Sequence, residues 1–191
     1  MDNDYLESAI KQLKYYKFLG EKTIDQLTED QLFWKYNQES NSIANIINHL
    51  RGNMLSRWTD FLTSDGEKPT RNRDEEFEDI IRNKQELMEK WHEGWTCLFT
   101  AIKALTKDDL GKIIYIRNQG HTVTEAINRQ LAHYPYHIGQ IVFIGKMALD
   151  HHWKSLSIPK GNSKAYNENK FSQSKQIGHF TDEFLKSDKE E

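Results

Sequence analysis

The stretch Gln130-Leu131-Ala132-His133-Tyr134-Pro135-Tyr136-His137-Ile138-Gly139-Gln140 decides how the rest of the chain is read. It sits inside an apolar-periodic segment running from about Thr122 to Leu149. Every third or fourth residue gives Ala126, Gln130, His133, His137, Gln140, Ile144 and Ala148, one face of a helix with a polar middle. The adjacent stripe, Ile127, Leu131, Tyr134, Ile138 and Ile141, is apolar. The polar stripe therefore flanks the core-facing surface, where burial without a partner is costly. Two imidazoles one turn apart stand about 5–6 Å apart at Cβ, close enough to share one metal ion. The pair is weak on its own, since two core histidines bonded to neighbours fit it as well. Thr122 and Glu125 form a capping box that opens this helix, and Pro135 inside it is expected to be a tolerated distortion.

Working outward, Leu6, Ala9, Ile10, Leu13 and Tyr16 predict a first helix over residues 5–26, with Gly20 as a candidate interruption. Thr28 with Gln31 fits a capping box for a short helical turn. Ser40-Asn41-Ser42 opens a second long helix, whose apolar positions Ile43, Ile46, Ile47, Leu50, Met54, Trp58 and Phe61 carry it to about Thr63. His49 lies at the edge of its buried face. The Gly- and Pro-containing stretch Ser64–Thr70 reads as a loop that continues through the charged residues after Arg71. A third helix is expected from about Asp74 to Ala104, then a short extended passage around Ile113 and Tyr115 with a polar turn at Arg117–His121. Four long amphipathic segments with no convincing strand pattern predict an all-α protein, a four-helix bundle over residues 1–153. Residues 154–191 are expected to form an extended tail, packed in part through Phe171, Ile177 and Phe180, and disordered from about Asp182.

Composition narrows the functional classes. Charged residues make up 29% and hydrophobic ones 37% of 191 residues, and the net charge of −3 offers no basic footprint for nucleic acid. The start, Met1-Asp2-Asn3-Asp4-Tyr5, lacks the positive and apolar regions of a secretory signal, and no apolar run is long enough to span a membrane. The one cysteine, Cys97, excludes an internal disulfide and suits a reducing compartment, so a cytoplasmic protein is expected. Beside Trp95, Leu98 and Phe99 that thiol is expected to be buried and inert. Trp34, Trp58 and Trp153 are expected in core or dimer packing.

Among the remaining histidines, only His49 combines a mid-helix position with a semi-buried face, which makes it the best third ligand for His133 and His137. Asn45, Gln130 and Gln140 each lie one turn from one of these and are candidates to orient it. No Asp or Glu stands beside the motif to serve as a fourth ligand or general base. A histidine in Asn45-Ile46-Ile47-Asn48-His49-Leu50 followed by His133-Tyr134-Pro135-Tyr136-His137-Ile138-Gly139-Gln140-Ile141 resembles the DinB/YfiT-like family of metal-dependent proteins. The likeness covers residues 5–150, and Ser157–Ser163 resembles a tail of one branch.

That resemblance implies an up-down-down-up four-helix bundle, frequently a homodimer, with a divalent metal on His49, His133 and His137. It also implies thiol-dependent chemistry, in which a low-molecular-weight thiol is transferred onto a small electrophile. Three neutral imidazoles leave an ion its full charge and an open position, where it would lower the pKa of a bound water or hold a thiolate ready for attack. Zinc or nickel comes first for such ligands, with iron or manganese as alternatives. The leading expectation is a metal-dependent S-transferase or hydrolase acting on a small molecule. The alternative is a metal-binding or stress-related interaction protein without turnover.

Overall fold

The computed structural model describes residues 4–185. Apolar spacing of three and four produces helices α1 (Asp4–Ile24), α2 (Glu29–Phe33), α3 (Ile43–Trp58), α4 (Lys84–Lys103) and α5 (Val123–Leu149). Local chemistry starts three of them. Thr28 with Gln31, Ser42 with Asn45, and Thr122 with Glu125 each form a reciprocal capping box, which satisfies amide N–H groups that the first turn leaves without partners. The protein is mostly helical.

The buried faces meet in pairs: α3 packs along α4 and α1 along α5, with lesser contact between α3 and α5 and between α1 and α4. Leu13, Ile47, Leu87, Leu98, Ile127 and Ile141 fill the space between them and are excluded from solvent. Gly20 does not interrupt α1. It lets α1 approach α4, since a Cβ there would lie 2.5 Å from Cη2 of Trp91. Two buried polar groups are answered across the core, where Trp58 Nε1 donates to the Tyr134 hydroxyl at 2.9 Å and Tyr134 donates to Asn53 Oδ1 at 3.1 Å.

Four expectations need correction. The helix foreseen from Asp74 begins at Lys84, where the Asn83 side chain caps the Glu86 amide at 2.8 Å. Before it the backbone forms only a one-turn 3-10 helix, Glu75–Phe77, because its carbonyls are taken by side chains of α3. Asn48 donates to Glu75 O and Glu76 O at 3.3 and 3.1 Å, and Asn45 donates to Phe77 O and Glu78 O at 3.0 and 3.1 Å. Secondly, α3 stops at Trp58, since Asp60 turns into the left-handed region at φ 49°.

Thirdly, the extended passage is an antiparallel hairpin, β1 (Ile113–Ile116) with β2 (Gln119–Thr122), which buries Ile114 and Ile116. Its two-residue turn, Arg117-Asn118, has φ of 56° and 60°, the primed turn whose twist suits a hairpin. Neither residue is glycine, and Arg117, which lacks the local hydrogen bonding that eases asparagine into this region, carries about 1–2 kcal/mol of steric cost. The Asp65 carboxylate offsets it by accepting from both turn amides at 2.8 Å.

Fourthly, the tail is not simply extended. It contains α6 (Ser163–Phe171) and α7 (Asp182–Leu185) and returns to α1. Phe180 and Phe184 pack on Tyr15 with ring centroids 5.7 and 5.1 Å away, and His179 Nε2 lies 3.2 Å from Ser8 Oγ. Phe171 and Ile177 remain exposed. Residues 182–185, expected to be disordered, are helical, and residues 186–191 lie outside the described residues. No described helix is long and apolar enough to cross a membrane.

Candidate metal centre

Helix α5 continues through Pro135 and presents Gln130, His133, His137 and Gln140 at intervals of three, four and three on one face. Helix α3 brings His49 to meet them. The Nε2 atom of His133 stands 3.1 Å from that of His137 and 3.5 Å from that of His49. One nitrogen from each of the three rings lies within 4.8 Å of the others, a group that could hold a metal ion. For comparison, nitrogens about 2.0–2.1 Å from a tetrahedral zinc lie about 3.3 Å from one another. The remaining five histidines lie elsewhere: His92, His151 and His152 are exposed, His121 is on the hairpin and His179 is in the tail.

The opposite nitrogen of each ring has an acceptor. His133 Nδ1 faces Gln130 Oε1 at 3.3 Å, His137 Nδ1 faces Gln140 Oε1 at 2.8 Å, and His49 Nδ1 faces Glu76 Oε2 at 2.8 Å. Acceptors at all three Nδ1 positions favour the tautomer that carries its proton there and turns a lone pair at Nε2 inward. Three inward lone pairs with no proton between them form a donor set suited to a cation. Oxygens behind the rings orient them, as in other histidine metal sites.

Glu76 is the carboxylate that the sequence reading missed, and it stands behind His49 rather than among the three ligand nitrogens. It is 5% exposed and sits on the 3-10 turn that α3 holds by its asparagine side chains. Arg71 clamps it from the other side, with Nε to Oε1 at 2.6 Å and Nη2 to Oε2 at 2.9 Å. Phe77, next in sequence, stacks on the His49 ring with centroids 4.8 Å apart. Gly52, on α3 three residues after His49, makes room for the carboxylate, since a Cβ there would fall 2.2 Å from Glu76 Oε1. Nothing in the charged run Asp74-Glu75-Glu76-Phe77-Glu78 singles Glu76 out. Asn45, by contrast, orients no histidine, because its side chain is spent on Ser42 and on the carbonyls after Glu76. It acts on the site only by holding the segment that carries Glu76.

The surroundings suppress protonation of the imidazoles. Burial first, then the charges of His137 and His49, push His133 from its usual 6.5 down to about 3. His137 is also lowered, chiefly by burial. Burial raises the Glu76 carboxyl, but hydrogen bonds from His49 and Arg71 outweigh it and hold it below its usual 4.5. Both kinds of shift have the same sign for stability, because the unfolded chain binds protons that the folded one refuses. Metal-free protein should therefore lose stability as pH falls below 6.5, through His133, and more steeply below 4.5 as Glu76 is protonated. Urea unfolding at a series of pH values checks this; a flat profile between pH 7 and pH 4 would contradict the buried neutral state of His133.

The imidazoles open on a cavity of about 500 Å³ lined by His49, His133, His137, Tyr136, Phe77 and five arginines, among other residues. A larger one, about 590 Å³, is lined in part by Glu76 and Arg71 and by none of the three histidines. Trp34, Trp58 and Trp153 do not line the histidine cavity. Cys97 is half-buried rather than buried, lies 3.6 Å from Thr59 Oγ1, and faces a separate recess beside Trp58 and Phe61.

These features define a mostly helical protein with a buried-to-half-buried histidine triad open to a cavity. A family model matches residues 1–162, and the chain belongs to that family, described as "Protein of unknown function (DUF1572)". No curated protein and no solved structure matches it.

Proposed function

We propose that His49, His133 and His137 hold one divalent transition metal ion and that the protein is a metal-dependent enzyme acting on a small molecule. One observation carries this reading: three Nε2 atoms converge while every Nδ1 is backed by an oxygen. The half-buried rings of His133 and His137 and the adjoining cavity support catalysis over a structural role, because a structural zinc site is closed by four protein ligands. When bound, such an ion supplies Lewis acidity toward a donor atom of the small molecule. The chain's residues do the rest. The imidazoles bind, Gln130, Gln140 and Glu76 fix ring orientation, and Phe77 shields one face of His49.

Zinc or nickel is the first choice of ion, with iron or manganese next. The resemblance to DinB/YfiT-like proteins supports an up-down-down-up bundle of α1, α3, α4 and α5 over residues 1–153, with residues 154–191 as an appended tail. It also supports a reaction class: transfer of a low-molecular-weight thiol to an electrophile, or hydrolysis. A homodimer belongs to the same reading, and the exposed apolar side chains Tyr36, Phe143 and Met147 on one side of the molecule would suit its interface.

The test is metal content by mass spectrometry on protein purified without a histidine tag. About one transition metal ion per chain is expected, lost in His49→Ala and in His133→Ala. Chelator-stripped protein should keep its helical circular dichroism while losing turnover in a screen of thiol-transfer and hydrolytic substrates. Collapse of the fold on stripping would instead indicate a structural ion and a protein without turnover. No metal after reconstitution with zinc, nickel, iron or manganese would overturn the reading.

A further inference from the structure

The histidine cavity is lined by Arg57, Arg71, Arg73, Arg117 and Arg129, and among the described residues no Asp or Glu lines it. This is not a reflection of composition, because the chain carries 26 basic and 29 acidic residues. The five guanidinium groups come from separate parts of the fold: α3, the segment before the 3-10 turn, the hairpin turn and α5. Two of them have structural employment. Arg57 pairs with Glu67 at 2.9 Å, and Arg71 pairs with Glu76 and Glu67. The other three are solvent-accessible. The Arg117 guanidinium reaches Glu67 from Nη2 at 3.3 Å, while that of Arg73 lies over the Phe77 ring at 5.5 Å. Among the described residues, neither Arg73 nor Arg129 has a carboxylate within ion-pair distance.

The placement of Arg117 is actively maintained. It occupies a left-handed position that glycine or asparagine would adopt more easily, and Asp65 and the Gly66–Tyr115 backbone bond pin the turn against the loop after α3. Like charges gathered around one cavity repel one another, and Glu67 and Glu76 answer only Arg57, Arg71 and Arg117, yet the fold keeps Arg73 and Arg129 in the lining of a cavity of small-molecule size. A guanidinium is the side chain best matched to the paired oxygens of a carboxylate or a phosphate, which it grips with two parallel hydrogen bonds.

We infer that the cavity takes a small molecule bearing an anionic oxygen group, a carboxylate or a phosphate, which Arg73, Arg117 and Arg129 hold while the rest of the molecule faces the three imidazoles. This deepens the metal-site reading by naming the charge of the substrate, but the arginine subsite itself requires no ion. A metal bound to the histidines would add to the same positive field.

The test is calorimetric titration of the metal-free full chain with inorganic phosphate and, separately, with succinate. Saturable binding of at least one is expected; the one preferred tells phosphate from carboxylate. Arg73→Gln and Arg129→Gln should each weaken it roughly tenfold, the loss of one charge-assisted contact. Lys103→Gln, at the last residue of α4 and outside the cavity lining, should leave it unchanged. Arg73 and Arg129 are exposed, so thermal midpoints near wild type are expected and verify that the variants fold. No saturable binding of either anion, or equal binding by the double variant Arg73→Gln/Arg129→Gln, would overturn the inference. Metal content measured on the same preparations separates the two readings. Anion binding without metal would sink only the metal site, and metal without anion binding only the arginine subsite.

Discussion

Replacing Glu76 with alanine is expected to destabilise the metal-free protein by about 3–5 kcal/mol, the range for removing one member of a buried ion pair. Both carboxylate oxygens are engaged, Oε1 by Arg71 and Oε2 by Arg71 and His49. Without them the Arg71 side chain, 5% exposed, would keep only its longer contacts with Glu67 at 3.2 and 3.4 Å. His49 would lose the acceptor that sets its ring. Glu76→Gln keeps the shape and one acceptor oxygen, so it should cost less than alanine. Urea unfolding of the three proteins orders them, and a loss below about 1 kcal/mol for alanine would mean that water replaces the carboxylate freely. The same substitution should weaken metal binding by about 10–100-fold, the usual effect of removing a group that orients a histidine ligand.

The second large effect concerns the ion itself. Zinc at about a thousand times its dissociation constant should stabilise wild type by about 4 kcal/mol, provided it binds the folded chain alone. For a domain of this size that corresponds to a rise of roughly 10 °C in midpoint temperature. His133→Ala should show no such rise, because the His133 Nε2 is the shared vertex, 3.1 and 3.5 Å from the other two. Gln140→Leu separates orienting from ligating. It should keep one ion per chain but bind it about 10–100-fold more weakly, since only the partner of His137 Nδ1 is lost. A zinc-induced rise of equal size in His133→Ala would place the ion elsewhere on the protein.

The two predictions probe one arrangement from opposite ends. Helix α3 supplies His49, and its asparagines Asn45 and Asn48 tether the 3-10 turn carrying Glu76 and Phe77. Helix α5 supplies two imidazoles together with their own backing glutamines. One half of the centre is thus held by tertiary contacts and the other half by a single helix. Damage to the segment 71–79 should accordingly disturb His49 while leaving the His133–His137 pair in register.

That division also marks what was legible in the chain. Helix periodicity and capping boxes are local: they depend on residues three or four apart, so Thr28–Gln31, Thr122–Glu125 and the stripe from Gln130 to Gln140 could be read directly. The pairing of His133 with Gln130 and of His137 with Gln140 follows from the same spacing. The hairpin was harder, since two four-residue strands give little alternation, and its turn uses Arg117-Asn118 where glycine is the usual signal. Glu76 had no local signature. It lies 27 residues from His49 in a run of acids at the expected junction of loop and third helix, and contacts from Asn45, Asn48 and Arg71 fold that segment back. The same contacts turned Asn45 from a candidate partner of a histidine into a tether. The five arginines around the cavity are spread from residue 57 to residue 129, and no pattern of spacing unites them. Sequence determined which side chains share a helix face, because that is fixed within one turn of backbone. Tertiary structure alone decided which carboxylate backs His49 and which charges surround the imidazoles, because those neighbours meet only when distant segments pack.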